Sequence, residues 1–122
     1  MEKLLTVTEL AGLLGITPRT IRFYETKGLL KPQRVGTTRA YNYRDRARMK
    51  VILRAKRLGF SLTDIGEYLA LYNADPGQIG QQRLLLAKVR KRIKELEQQQ
   101  LDLKETLFEL HEIEEQTAAN LD

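Results

Sequence analysis

The sequence predicts a mainly α-helical chain in two parts: a compact basic unit of short helices with a small hairpin, then one long helix. Three observations predict it. Up to Tyr72, short amphipathic stretches are closed by glycines; from Leu86 to Leu110, apolar residues recur at alternating intervals of three and four; and the charge divides between the two regions. Of 21 Lys and Arg and 16 Asp and Glu in the 122 residues, 14 basic and 6 acidic residues fall up to Tyr72, and 7 and 10 after it. The net charge of +5 therefore hides a first part at +8 and a second at −3. Such asymmetry points to a nucleic-acid face on the first part and a solvated or protein-facing surface on the second.

Composition excludes several classes. At 122 residues and 42% hydrophobic, the chain suits one compact domain with an appended element rather than a large enzyme core. It has no run of about 18 apolar residues, and MEKLLTVTEL lacks the apolar core and cleavage site of a signal peptide. A cytoplasmic location is expected, without a membrane partner. With no cysteine there is no disulfide framework and no thiolate metal site. His111 is the one histidine, and no nucleophile–base pair or carboxylate cluster stands out, so neither catalysis nor a metal or cofactor is expected.

In chain order, Thr6-Val-Thr-Glu9 has the capping-box pattern, and Val7, Leu10, Ala11 and Leu14 then form one apolar stripe ended by Gly15. A second helix starts almost at once. Thr17 is its N-cap, Pro18 suits the first helical position, and Lys27-Gly28 marks its end. Ile21 faces a core in this reading, while Arg19, Thr20, Arg22 and Tyr24 cover the other sides. Two short helices joined by a tight glycine-containing turn have the arrangement of a helix-turn-helix, although an ordinary helical hairpin shares it.

After Lys31-Pro32, the segment QRVGTTRAYNY reads as a short hairpin turning at Gly36. Arg34, Arg39 and Tyr41 are the kind of groups with which a protruding wing touches phosphate or a minor groove; a solvated surface hairpin is the alternative. A third helix follows from the N-cap Asn42, with Asp45 at N3, to about Leu58. Met49, Ile52 and Leu53 form its apolar side. Arg46, Lys50, Arg54 and Arg57 share another, where like charges repel unless an anion such as DNA phosphate neutralises them or solvent screens them. Gly59 and Phe60 break it, and a fourth helix capped by Ser61 carries Ile65, Leu69 and Tyr72.

The loop Asn73 to Gln78 contains Pro76 and Gly77 and separates the parts, giving expected boundaries of 1–72 for the basic unit, 73–79 for a linker and 80–122 for the long helix. Leu86, Val89, Ile93, Leu96, Gln100, Leu103, Leu107 and Leu110 make a heptad seam that one helix cannot bury alone. A second copy of the same helix is the simplest partner. Gln100, the one polar seam position, either sets register or faces solvent; beyond Leu110 the seam blurs through Ile113 and Ala118.

Taken together, LTVTELAGLLGITPRTIRFYETKGLLKPQR and TRAYNYRDRARMKVILRAKRLGFSLTDIGEYL strongly resemble the MerR family of bacterial transcription regulators over about Leu5 to Leu110. The most specific parts are RTIRFYETKGLL, the arginine and tyrosine of TRAY, and LGFSL. The resemblance implies a winged helix-turn-helix DNA-binding domain with a second wing around Leu58 to Leu62. It further implies an antiparallel coiled-coil homodimer on a pseudo-palindromic promoter operator, bending and untwisting the double-stranded DNA for RNA polymerase. Carried onto this chain, Arg19 and Arg22 become the leading base-edge or phosphate contacts, with Thr20 and Tyr24 supporting the backbone and Thr17 counted among the DNA-binding residues; the alternative is that Thr17 and Thr20 are local caps only. Arg39 and Tyr41 become wing contacts, and Arg54 and Arg57 phosphate clamps.

The absent cysteines set aside the family's thiolate metal and redox sensing. RDRARMKVILRAKRLGFSL and LALYNADPGQ look most like the subgroup governing branched-chain amino-acid and acyl-CoA catabolism, which implies an acyl-CoA-type effector. Two other functions compete: an excisionase-like protein that bends DNA without regulating a promoter, and a MerR-like module that binds protein, such as a chaperone modulator. The long seam argues against the first and the +8 unit against the second.

Overall fold

The computed structural model describes residues 3–74 and 78–122, with 72–74 as backbone only. Its elements are α1 (Val7–Leu14), α2 (Pro18–Thr26), β1 (Gln33–Val35), β2 (Thr38–Ala40), α3 (Tyr43–Arg57), α4 (Leu62–Ala74) and α5 (Ile79–Leu121). The chain divides into two units, Met1–Gln82 and Arg83–Asp122.

Local chemistry sets the helix starts. The Thr6 hydroxyl accepts from the Glu9 amide at 3.1 Å and Glu9 Oε1 accepts from the Thr6 amide at 3.0 Å. Asn42 and Asp45 make the same reciprocal pair for α3, at 2.9 Å in each direction. Ser61 Oγ accepts from the Asp64 amide at 3.0 Å at the head of α4. Each cap satisfies amide donors that the first turn of a helix leaves orphaned.

The helix ends share one device. After α2, the Gly28 amide reaches the Glu25 carbonyl and the Leu29 amide reaches that of Tyr24; after α3, Gly59 reaches Lys56 and Phe60 reaches Ala55. These are Schellman closures, and they need a left-handed residue, supplied by Gly28 at φ 77° and Gly59 at φ 93°. In both cases the residue after the glycine turns inward: Leu29 is buried and Phe60 packs on the core.

That core draws Leu10 from α1, Ile21 and Tyr24 from α2, Met49 and Ile52 from α3, and Ile65 from α4. The hairpin pairs Gln33 with Ala40, Arg34 with Arg39 and Val35 with Thr38. So small a ribbon is unstable alone. It is anchored where Tyr41 enters the core and exchanges two backbone hydrogen bonds, of 2.8 and 2.9 Å, with Leu5.

The first unit runs past the expected boundary at residue 72. The reason is Gln81, which is 1% exposed and donates from Nε2 to the Tyr68 carbonyl at 3.0 Å, tying the first turn of α5 to α4. Of the expected linker, residues 75–77, with Pro76 and Gly77, lie outside the described residues, as does the Tyr72 side chain.

Candidate nucleic-acid interface

α2 begins with a threonine cap: Thr17 Oγ1 accepts from the Thr20 amide at 3.2 Å and lies 2.9 Å from Thr20 Oγ1. Both hydroxyls are thus engaged in holding the helix start. Arg19 and Arg22 are exposed three residues apart, so they share a face of α2. Phe23 is exposed between that face and the core, with Lys27 Nζ 5.5 Å from its ring centroid.

Tyr24 differs from the sequence expectation. It is 7% exposed, because its three-residue spacing from Ile21 puts both on the core side of α2. The outward aromatic residue is Phe23, whose ring meets Tyr24 edge-on at 5.3 Å.

Tyr41 departs further, and the expectation of an outward wing contact is corrected. It is wholly buried, and its hydroxyl donates to Glu25 Oε1 on α2. Strand periodicity puts Arg39 on the same face two residues earlier, and Arg39 Nε donates to Glu25 Oε2 at 2.8 Å. That face of the wing is turned toward α2. The Arg39 side chain nonetheless keeps 36% of its surface open, against 10% for Glu25. Burial, and then the hydrogen bond and charge of Glu25, hold the Tyr41 hydroxyl well above the ordinary tyrosine range, so it remains a donor.

Glu25 is the residue that the sequence reading missed, and one signal could have found it: it is the sole acid in a basic helix, RTIRFYETK. Its role is also electrostatic. Arg34 and Arg39 stand directly opposite each other in the hairpin, where like charges repel. Glu25 offsets Arg39, while Arg34 Nη1 donates to the Thr37 carbonyl at 3.2 Å and stays exposed.

On α3, Lys50, Arg54 and Arg57 are exposed, but Arg46 is half-buried and its Nε is buried without a hydrogen-bond partner. The expected four-residue basic stripe is therefore open over three of its members. Arg54, Lys56 and Arg57 also sit in the last turn of α3, where the helix dipole favours cations. Arg48, which the stripe did not include, donates from Nε to the Leu29 carbonyl at 2.6 Å and fastens α3 to the end of α2. Arg19, Arg22 and the wing are thus linked through Glu25; Arg54 and Arg57 belong to no such network among the described contacts.

α5 is one helix of 43 residues, of which those from Arg83 onward form the second unit. Leu86, Ile93, Leu96, Leu103, Leu107 and Leu110 are between 44% and 61% exposed, Val89 is half-buried and Gln100 is exposed.

Known proteins resemble this chain in sequence and in fold. The family described as "MerR HTH family regulatory protein" matches residues 5–71, and that described as "MerR, DNA binding" matches residues 46–118. The mercuric resistance operon regulatory protein of Serratia marcescens is 36% identical over 114 residues, covering 88% of this chain and 77% of that protein. A ZntR homologue of Haemophilus influenzae is 34% identical over 113 residues, covering 91% and 82%. The matched stretch is about half the length of other relatives, covering 48% of the Shigella flexneri mercuric resistance regulator. Among solved structures, HiNmlR, a MerR family regulator lacking the sensor domain and bound to promoter DNA, superposes with a TM-score of 0.65 at 25% identity, covering 86% of this chain and 79% of that one.

Proposed function

The chain belongs to the MerR family and is a MerR-type transcriptional regulator, and from that premise we propose that it binds a two-fold promoter operator as a homodimer and distorts the DNA. The observation that carries the reading is α2: its Arg19–Arg22 face is exposed, and Glu25 fixes the helix against the wing. Arg19 and Arg22 contact base edges or phosphates in the major groove, with Thr17 and Thr20 holding the helix start. Arg34 and the open part of Arg39 bind phosphate from the wing, and Arg54 and Arg57 from α3. Bending costs deformation energy, which such added contacts offset.

The seam on α5 is the dimer interface in this reading, because an isolated apolar helix face of that length demands a partner. Charge supports an antiparallel pairing. From Arg83 to Lys94 there are six basic residues and no acid; from Glu95 to Asp122 there are nine acids and Lys104 alone is basic. Antiparallel helices bring opposite charges together, whereas parallel ones stack like on like.

Mercury, named for two of the relatives, does not carry over: this chain has no cysteine and so offers no thiolate to a soft metal. The candidate effector stays an acyl-CoA-type metabolite, RNA polymerase is the indirect partner at the promoter, and the site of action is the cytoplasm. Genome-wide mapping of bound DNA tests the proposal. Sites in promoter spacers beside catabolic operons support it; sites without promoter association favour an architectural protein, and no DNA sites favour a protein-binding module.

A further inference from the structure

From Arg19 to Lys27, the exposed residues are Arg19, Arg22, Phe23, Thr26 and Lys27. Four of these carry hydrogen-bond donors. Phe23 carries none on its side chain, yet 46% of its surface stays open. A single exposed apolar residue is ordinary on a protein surface and alone signifies little. Phe23 is set apart by its place: it follows Arg19 by four residues and precedes Lys27 by four, so it stands in a row with both, at the edge of the Arg19–Arg22 face.

Its ring is also held from behind. The buried Tyr24 meets it edge-on, with centroids 5.3 Å apart and planes at 70°, and Lys27 Nζ lies 5.5 Å from its centroid. An aromatic side chain has only two torsions, so a ring already held by two neighbours gives up little freedom when it meets a ligand. The part left open is apolar surface in water, which an apolar contact of matching shape removes.

The major groove offers such a contact at one base. Base edges there present hydrogen-bond donors and acceptors, and thymine alone adds an apolar group, its C5-methyl. Resting on the operator-binding reading above, we infer that Phe23 packs on a thymine methyl in each half-site, beside the base or phosphate held by Arg19 or Arg22. This contact supplies a discrimination that the arginines do not, since they select guanine or grip phosphate. Opposite cytosine the same ring would cover the N4 amine, which would lose water and gain no acceptor from Phe23. Phe23 is therefore a specificity-determining residue for thymine.

Uracil pairs as thymine does and lacks only that methyl, so exchanging the two isolates the contact. The full-length wild-type protein is used to select a duplex from a random-sequence library, and each thymine of the selected half-sites is then replaced in turn by deoxyuridine. Fluorescence anisotropy at constant salt reads the affinity. At one thymine position the exchange should weaken wild-type binding about fourfold per half-site, the factor equivalent to the roughly 0.8 kcal/mol contributed by burying one methylene-sized group. Phe23→Ala should bind the thymine duplex more weakly and be indifferent to the exchange at that position. Phe23→Leu keeps apolar bulk and should retain part of the sensitivity. A selected half-site with no fixed thymine, a wild type insensitive at every thymine, or an undiminished loss in Phe23→Ala would overturn the inference and leave operator binding standing. A wild type that enriches no duplex would instead overturn the operator reading itself.

Discussion

At Glu25 one carboxylate holds two wing donors, Arg39 Nε and the Tyr41 hydroxyl, against the helix that carries Arg19 and Arg22. The Tyr41 bond is to a charged acceptor, and bonds of that kind contribute about 1.5–3 kcal/mol. Tyr41→Phe should therefore lower unfolding stability by an amount of that order, measured by denaturant titration. The pH dependence has a definite sign. Because the folded state raises the Tyr41 pKa, its contribution is whole below the unfolded value of about 10 and is lost as pH rises through the folded value. The wild type should lose more stability than Tyr41→Phe on alkaline titration above about pH 10; parallel profiles would contradict the assigned bond. Glu25→Ala should weaken DNA binding although it adds net positive charge, which a simple charge account would not predict. Fluorescence anisotropy on a fixed duplex checks it, and tighter binding by the variant would refute the positioning role.

At the scale of elements, α2 is fixed at both ends by local chemistry and on one side by distant contacts. Arg22→Ala should cost about 1–3 kcal/mol on a cognate duplex if Arg22 reads a base, whereas equal losses on cognate and random DNA would assign it to phosphate. The division between local and distant also explains what could be read from the chain. The Thr6–Glu9 and Asn42–Asp45 boxes, the Thr17 cap and the glycine stops at Gly28 and Gly59 were legible because each is completed within a few residues. Tyr41 and Arg39 were not, since their partner Glu25 is 16 and 14 residues away. The outward reading of both assumed a wing free on its faces. Tyr24 was misplaced for a simpler reason: its spacing from Ile21 was available, but its phenol suggested a ligand rather than a core with a polar edge. Gln81 was hidden by its type, because a glutamine after a Pro-Gly loop gives no signal of burial.

At the scale of the whole molecule, two regions of opposite charge are joined in one chain. A basic unit presents α2 and the wing, and in the proposed dimer the long helix with its exposed apolar seam doubles them by pairing with a second copy. Ile93→Asp puts a charge in that seam and should convert the dimer to monomer by sedimentation, with operator affinity falling as the second reading helix is lost. A dimeric Ile93→Asp protein would place the interface elsewhere. The most direct measurement of the central claim is equilibrium binding to a mapped promoter site and to a scrambled duplex at the same salt, with a footprint of the bound site. The account predicts binding to the promoter site tighter by a factor on the order of 10³ or more, with two inverted half-sites protected by one dimer. Equal affinity for both duplexes, or protection of a single half-site by a monomer, would contradict it.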